Sequence, residues 1–265
     1  MIYVSAYYYI AKPTLPHMGL GRYLKLMPDS FRMIRGSRLN FFYDEPWVIE
    51  IVARMCAENQ VELVDRYVDR GDLVGRVYAE KIYSTYDKAV IYQAGVASKK
   101  EKGVAHHLNL VADNPPQTYI DNVSVWLSKI DLVRSVAESC EVGEMVCWVD
   151  TGIAKFRHVR KNWRFWDQNM VPNKISHYGS RMQFQGRRLP LNASFLAGSG
   201  KAWQSVHSQF YGRLDGCCTD GYLHDEETIL SMLHQDSPER FHAIGQPYSP
   251  FLGRQRYLVR RLLDR

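Results

Sequence analysis

The chain has 265 residues, 46% of them hydrophobic, enough apolar material for an ordinary globular core, which argues against disorder. No window approaches the ~20 consecutive apolar residues that cross a bilayer, so a membrane-spanning helix is not expected. A formal net charge of +6 points to an anionic partner, whether nucleic acid, a phosphorylated substrate or a membrane surface, without choosing among them.

Residues 2–10, rich in Tyr, Val and Ile and followed by Lys12-Pro13, predict a buried first strand that feeds a long loop with prolines at 13, 16 and 28, a candidate ligand-contacting segment. This opening lacks the basic segment, apolar stretch and cleavage site of a secretory leader, so a cytoplasmic location is expected. Residues 38–43 predict a second strand, ended by Asp44-Glu45-Pro46. Pro46 at a helix start, then Val48, Ile49, Val52 and Met55 at a 3.6-residue period, predicts an amphipathic helix covering a sheet. Residues 61–64 read as a short strand, and residues 69–117 as mixed helical pattern with a polar loop at 98–103.

Val125, Ile130, Val133 and Val136 predict a helix over 119–138. Residues 145–149 form an almost uninterrupted apolar run, the mark of a central strand covered on both faces. Residues 191–200 read as a strand running into a glycine turn, and 201–211 as a helix. The vicinal Cys217-Cys218 falls in an apparent Gly-rich turn over 215–221. Asp225-Glu226-Glu227 opens a last helix whose acidic first turn complements the helix dipole. With no internal repeat and no long linker, a single α/β domain over 1–265 is expected, its central sheet mostly parallel and flanked by helices.

Ligands collect beyond the carboxyl ends of strands in such sheets. Three acidic positions fall there: Asp44-Glu45, Asp150 before Thr151-Gly152, and the group Asp220, Asp225 and Glu226. Carboxylates at these points suit a phosphate-bridging cation or a base, although Asp44 and Asp225 equally suit helix capping. The five cysteines form neither an even set nor a C-x-x-C pair, so a disulfide framework or thiolate metal site is not expected. Trp163, Phe165 and Trp166 beside Arg157, Arg160 and Arg164 suit either stacking on a ligand or a lid packed on the core. The segment 254–265 reads as a basic amphipathic helix, either docked on the domain or lying on an anionic membrane.

Trp126-Leu127-Ser128-Lys129, then a helix, then Cys147-Trp148-Val149-Asp150-Thr151-Gly152-Ile153, resembles the HtrL/YibB family of bacterial proteins. Val4-Ser5-Ala6-Tyr7-Tyr8, Phe42-Tyr43-Asp44-Glu45, Ala197-Gly198-Ser199-Gly200 and Asp225-Glu226 follow in the family's order, so the likeness covers most of the chain. That family is similar to nucleotide-sugar glycosyltransferases of the GT-A fold and is tied to surface polysaccharide or lipopolysaccharide gene clusters. The resemblance implies one GT-A-like domain, with a nucleotide-binding half (1–150) and an acceptor-binding half (151–265). It implies that Ser5, Ala6, Tyr7 and Tyr8, with Asp44, Thr151 and Gly152, meet the nucleotide while Lys129 approaches a phosphate. Ala197, Gly198 and Gly200 would contact substrate.

In the same likeness Asp150 stands where GT-A enzymes place an Asp-x-Asp motif, and His242 resembles a late histidine that joins it on a divalent cation, Mn or Mg. Asp225 or Glu226 would serve as the base. The position two after Asp150 is Gly152, not a second acid. Neutralising a departing diphosphate therefore falls either to a cation on Asp150 or to Lys129, Lys155, Arg157 and Arg160. The implied partners are a nucleotide sugar and a glycan or lipid-linked acceptor, with peripheral membrane contact through Arg254 to Arg265 and no nucleic acid. The competing reading, a non-catalytic nucleic-acid-binding or polysaccharide-cluster accessory protein, rests on charge, since no helix-turn-helix, zinc-finger or RNP motif is present. A methyltransferase-like enzyme is disfavoured by the lack of a G-x-G-x-x-G turn after the first strand.

Overall fold

Successive residues of the strands face opposite sides of one sheet, and both sides are apolar. Val146 and Trp148 enter one core while Cys147 and Val149 enter another, and Ile2 and Val4 are divided from Tyr3 in the same way. The computed structural model describes residues 1–10, 19–84, 114–155, 169–180, 182–184, 187–220 and 225–245. The first half supplies β1 (Ile2–Ala6), α1 (Leu20–Arg32), β2 (Arg38–Tyr43), α2 (Pro46–Glu58), β3 (Glu62–Tyr67), α3 (Gly75–Ser84), α4 (Pro116–Ala137) and β4 (Met145–Val149). The second half supplies β5 (Ile175–Tyr178), the short pair β6 (Gln183–Phe184) and β7 (Arg187–Arg188), β8 (Asn192–Ser199), α5 (Gly200–Asp220), α6 (Glu226–Asp236) and β9 (Phe241–Gly245).

Among the described residues seven strands form one sheet in the order β3-β2-β1-β4-β8-β5-β9, so strands from both halves of the chain share it. Pairings β1–β2, β2–β3, β1–β4 and β5–β9 are parallel, while β8 runs antiparallel to β4 and β5. One face is covered by α3, α4, α5 and α6, which contribute Ile82, Leu127, Trp203 and Ile229 to its core. The other is covered by α1 and α2 through Met27, Phe31, Val48 and Val52. The architecture is thus a mostly parallel α/β sheet between helical layers. Among the described residues no helix is long and apolar enough to cross a membrane.

Several local expectations are corrected by packing. β1 ends at Ala6 rather than Ile10. Pro28 lies inside α1 instead of in a loop, because Met27 and Phe31 bury against the sheet, Phe31 edge-on to Phe41, and this outweighs the hydrogen bond that proline cannot donate. Cys217 and Cys218 belong to α5 and not to a turn. Phe210, Leu214 and Cys217 continue its buried stripe, while Gly212 and Gly216 face open space. Gly198 lies within β8, where a Cβ would stand 2.9 Å from Ile175 Cδ1 and 3.1 Å from Ala202 Cβ; it permits close packing rather than a turn. Gly200 is the first residue of α5.

Among the described residues the five cysteines form no disulfide. The polar loop at 98–103, the aromatic and basic group at 157–166, and the segment 254–265 lie outside the described residues.

Candidate active site

From β1 the chain builds outward through β2 and β3, then returns with β4 on the opposite side of β1. The gap between β1 and β4 is therefore where strand order reverses, and a crevice opens beyond the carboxyl ends of such a pair. A cleft of about 290 Å³ lies there, bordered by Ala6, Tyr7 and Tyr8 after β1 and by Trp148, Asp150, Thr151 and Gly152 at the end of β4.

The backbone at this edge is tied on both sides. Ser5 Oγ donates to the Val149 carbonyl at 2.6 Å, and the Asp150 N–H donates to the Ser194 carbonyl of β8 at 2.9 Å. The Ile153 N–H then donates to the Asp150 carbonyl, closing the turn. Asp150 is held by its own main chain before its carboxylate meets any partner.

That carboxylate is surrounded by donors. Lys129 Nζ reaches Oδ1 at 3.0 Å, the Trp148 indole N–H donates to the same oxygen at 2.9 Å, and Lys155 Nζ stands 3.8 Å from Oδ2. Lys129 comes from α4, where Asn122, Val125, Trp126 and Lys129 form an i, i+3, i+4, i+7 stripe along the cleft. Its side chain is 7% exposed, and its ammonium also contacts Glu226 Oε1 at 2.7 Å and lies over the Trp148 ring. Burial acts to depress the Lys129 ammonium, but Asp150 and Glu226 more than offset it and hold it above its ordinary range. Burial acts to raise the Asp150 carboxyl, yet Lys129, Lys155 and the indole hold it well below the usual carboxylate range.

Aromatic rings make up much of the remaining wall. Tyr23 of α1 packs on Tyr7 with ring centroids 5.1 Å apart, and its ring lies over Gly152, where a Cβ would sit 3.3 Å from Cε1. Trp126 and Tyr8 complete the wall, and Arg22 and Lys155 also border the cleft. The result is an anion-seeking floor with flat apolar sides.

The structure brings Ala6, Tyr7, Tyr8, Lys129, Asp150, Thr151 and Gly152 to one cleft. The other residues singled out from the sequence lie elsewhere. Ser5 is fully buried as a joint between β1 and β4. Asp44 pairs with Arg70, which also donates to the Tyr9 carbonyl. Ala197 is buried in β8 beside Gly198, and Gly200 opens α5; none of the three borders the cleft.

Asp225 is buried as the N-cap of α6, accepting from the Thr228 N–H at 2.9 Å and the Thr228 hydroxyl at 2.8 Å. Glu226 reaches the site from behind Lys129 and does not border the cleft. Glu227 is also buried, accepting from Ser180 Oγ and the Ala193 N–H.

His242 lies on β9, outside the cleft, with Nε2 3.0 Å from the Asn169 carbonyl. A divalent cation held by Asp150 and His242 therefore does not fit this donor set. The carboxylate faces ammonium groups and an indole N–H, and among the described residues no three His, Cys, Asp or Glu side chains converge to hold a metal. Sequence reasoning did not single out Arg22, Tyr23, Leu26 or Asn122; the first three fall in the stretch up to Pro28 that was expected to contact ligand, but as a loop and not as α1. The stripe at 122, 125, 126 and 129 was the available signal.

No protein-family model and no curated protein sequence matches the chain. Among solved structures, the chain is similar to the glycosyltransferase GlyE of Streptococcus pneumoniae TIGR4, at 11% identity and a TM-score of 0.43, over 91% of this chain and 45% of GlyE. It is similar to the apo form of GlyE at 11% identity and a TM-score of 0.42, over 89% and 43% of the two chains. A transferase mutant is similar at 11% identity and a TM-score of 0.37, over 88% of this chain and 83% of that one. The chain spans less than half the length of GlyE.

Proposed function

We propose that this chain is a glycosyltransferase that moves a sugar from a nucleotide-sugar donor to a cell-surface glycan: lipopolysaccharide, O-antigen or capsule. The observation that carries the reading is the cleft at the β1/β4 reversal, where the rings of Tyr7, Tyr8, Tyr23, Trp126 and Trp148 stand around Lys129, Lys155 and Arg22. A nucleotide sugar offers matching surfaces: a flat base and sugar faces for aromatic walls, and a diphosphate for cations. The sequence resemblance to the HtrL/YibB family supports the same reading.

In such a transfer the bond between the anomeric carbon and the diphosphate oxygen breaks, and its electron pair leaves with the diphosphate. The acceptor hydroxyl oxygen bonds to that carbon, and its proton passes to the departing diphosphate or to solvent. Fixed positive charge beside the departing oxygen stabilises the transition state without reorganisation. The acceptor is a glycan or lipid-linked glycan, and the basic segment at 254–265 suits contact with an anionic membrane surface.

The test is a thermal-unfolding panel of UDP-, GDP-, CDP- and dTDP-sugars and their nucleoside diphosphates. Binding to the native state must raise the unfolding temperature. At least one donor and its matching diphosphate are expected to do so, followed by diphosphate release when a glycan acceptor is added. A flat response to every compound, in chelator and in Mn²⁺ alike, would sink the reading.

A further inference from the structure

The disagreement between the donor set and a divalent ion has a consequence for how an anion is received. Mn²⁺ and Mg²⁺ seek several oxygen ligands, with carboxylates supplying charge. Here Asp150 Oδ1 already accepts from Lys129 at 3.0 Å and Trp148 at 2.9 Å, and Oδ2 faces Lys155 at 3.8 Å. An ion at this carboxylate would stand against two ammonium groups.

The place for a second acid is tight as well. A Cβ at Gly152 would lie 3.3 Å from the ring of Tyr23, which is packed on Tyr7. A side chain there would require the Tyr23 ring to give by a few tenths of an ångström.

Cations occupy the positions that an ion would otherwise serve. Lys155 borders the cleft with its side chain 36% exposed, and exposed Arg22 borders it from α1. Lys129 lies deeper; two of its three N–H donors go to Asp150 and Glu226, and it too borders the cleft.

We infer that the cleft receives the diphosphate of its donor without a divalent metal, through Lys155 and Arg22 at the rim and Lys129 beneath. Asp150 is a positioning residue that orients Lys129 and Lys155 rather than a metal ligand. The inference rests on the nucleotide-sugar reading above and specifies how that site handles charge.

Calorimetric titration of the full chain with UDP, GDP, CDP, dTDP and inorganic pyrophosphate, in excess EDTA and again in saturating Mn²⁺, tests it. The binding nucleotide is expected to show dissociation constants within about twofold of each other in the two buffers. Lys155→Gln and Arg22→Gln, both at exposed or half-exposed positions, are each expected to weaken binding about tenfold through loss of a charge-assisted contact. Their thermal midpoints without ligand should fall by no more than about 2–4 °C, since ion pairs at exposed or half-exposed positions contribute little. Asp150→Asn, whose amide oxygen still accepts from Lys129, is expected to bind in EDTA within about tenfold of the parent.

Binding that requires Mn²⁺, or that vanishes in folded Asp150→Asn, overturns the metal-free site and leaves the glycosyltransferase reading standing. Binding in EDTA that neither cation variant weakens overturns the assignment of those cations. Failure of every nucleotide in both buffers removes the function itself, and this inference with it.

Discussion

A lysine ammonium survives at 7% exposure only where carboxylates meet it, and Lys129 has Asp150 at 3.0 Å and Glu226 at 2.7 Å. The net worth of such a buried set is small, because three desolvated charges offset most of their mutual attraction. Removing the central member is different, since it takes the ammonium from two carboxylates at once. Lys129→Met is expected to lose about 3–5 kcal/mol of stability in urea unfolding, and Lys129→Met combined with Glu226→Gln to recover part of it. A single variant within about 1 kcal/mol of the parent would show that water already solvates this cluster. The same geometry explains why Asp150 is a poor proton acceptor: cations on both sides hold its carboxyl far below the range in which a base works near neutrality.

Among the helices, α6 carries three consecutive buried acids, each with its own task. Asp225 caps the helix, Glu226 steadies Lys129, and Glu227 ties the helix to Ser180 and to the Ala193 N–H at the start of β8. Asp225→Ala is expected to cost about 1–2 kcal/mol, while Asp225→Asn keeps the cap and most of the stability. Urea midpoints of the two variants check this; equal losses would mean that charge at the helix start, not the capping bond, is what matters. The acidic first turn was legible in the sequence, but its division of labour was not, because the partners lie on α4, at the end of β5 and on β8. Gly75 gives a similar lesson. Its Cβ would fall 2.2 Å from the Ser124 carbonyl oxygen, so it lets α3 seat against α4, and nothing in its local sequence announces that contact.

At the scale of the whole molecule, acid stability follows from a buried imidazole. Burial pushes His177 down to about 4, with His234 and His242 nearby acting in the same direction and its bond to the Tyr178 carbonyl opposing them. An unfolded histidine titrates near 6.5, so below that pH the unfolded chain binds a proton that the native state refuses. Stability is therefore full above about pH 6.5 and falls as the pH drops toward 4, by roughly 3 kcal/mol in all for this group. The depressed Asp150 carboxyl adds a further loss below the ordinary carboxylate range. Urea midpoints measured from pH 7.5 down to 4.5 check the slope. His177→Gln is expected to flatten it, and an unchanged slope in that variant would place the acid sensitivity elsewhere.

The sequence by itself determined the elements whose pattern is local: β2 and β4 to the residue, α2 from its proline start, α4 and α6 within a few positions, and the α/β class that their alternation implies. It also placed Asp150 at a strand end, because a nearly unbroken apolar run stops there. Only the tertiary structure decided what surrounds that acid. Tyr23, Lys129 and Lys155 reach one cleft because β4 pairs with β1 across more than a hundred residues, Ile2 opposite Val146, and Lys129 meets Glu226 ninety-seven residues away. Hydrophobic period records which way a side chain faces within its own element. It carries no information about which distant element arrives on that face, and that meeting is what turned an isolated aspartate into the centre of a cationic, aromatic-walled cleft.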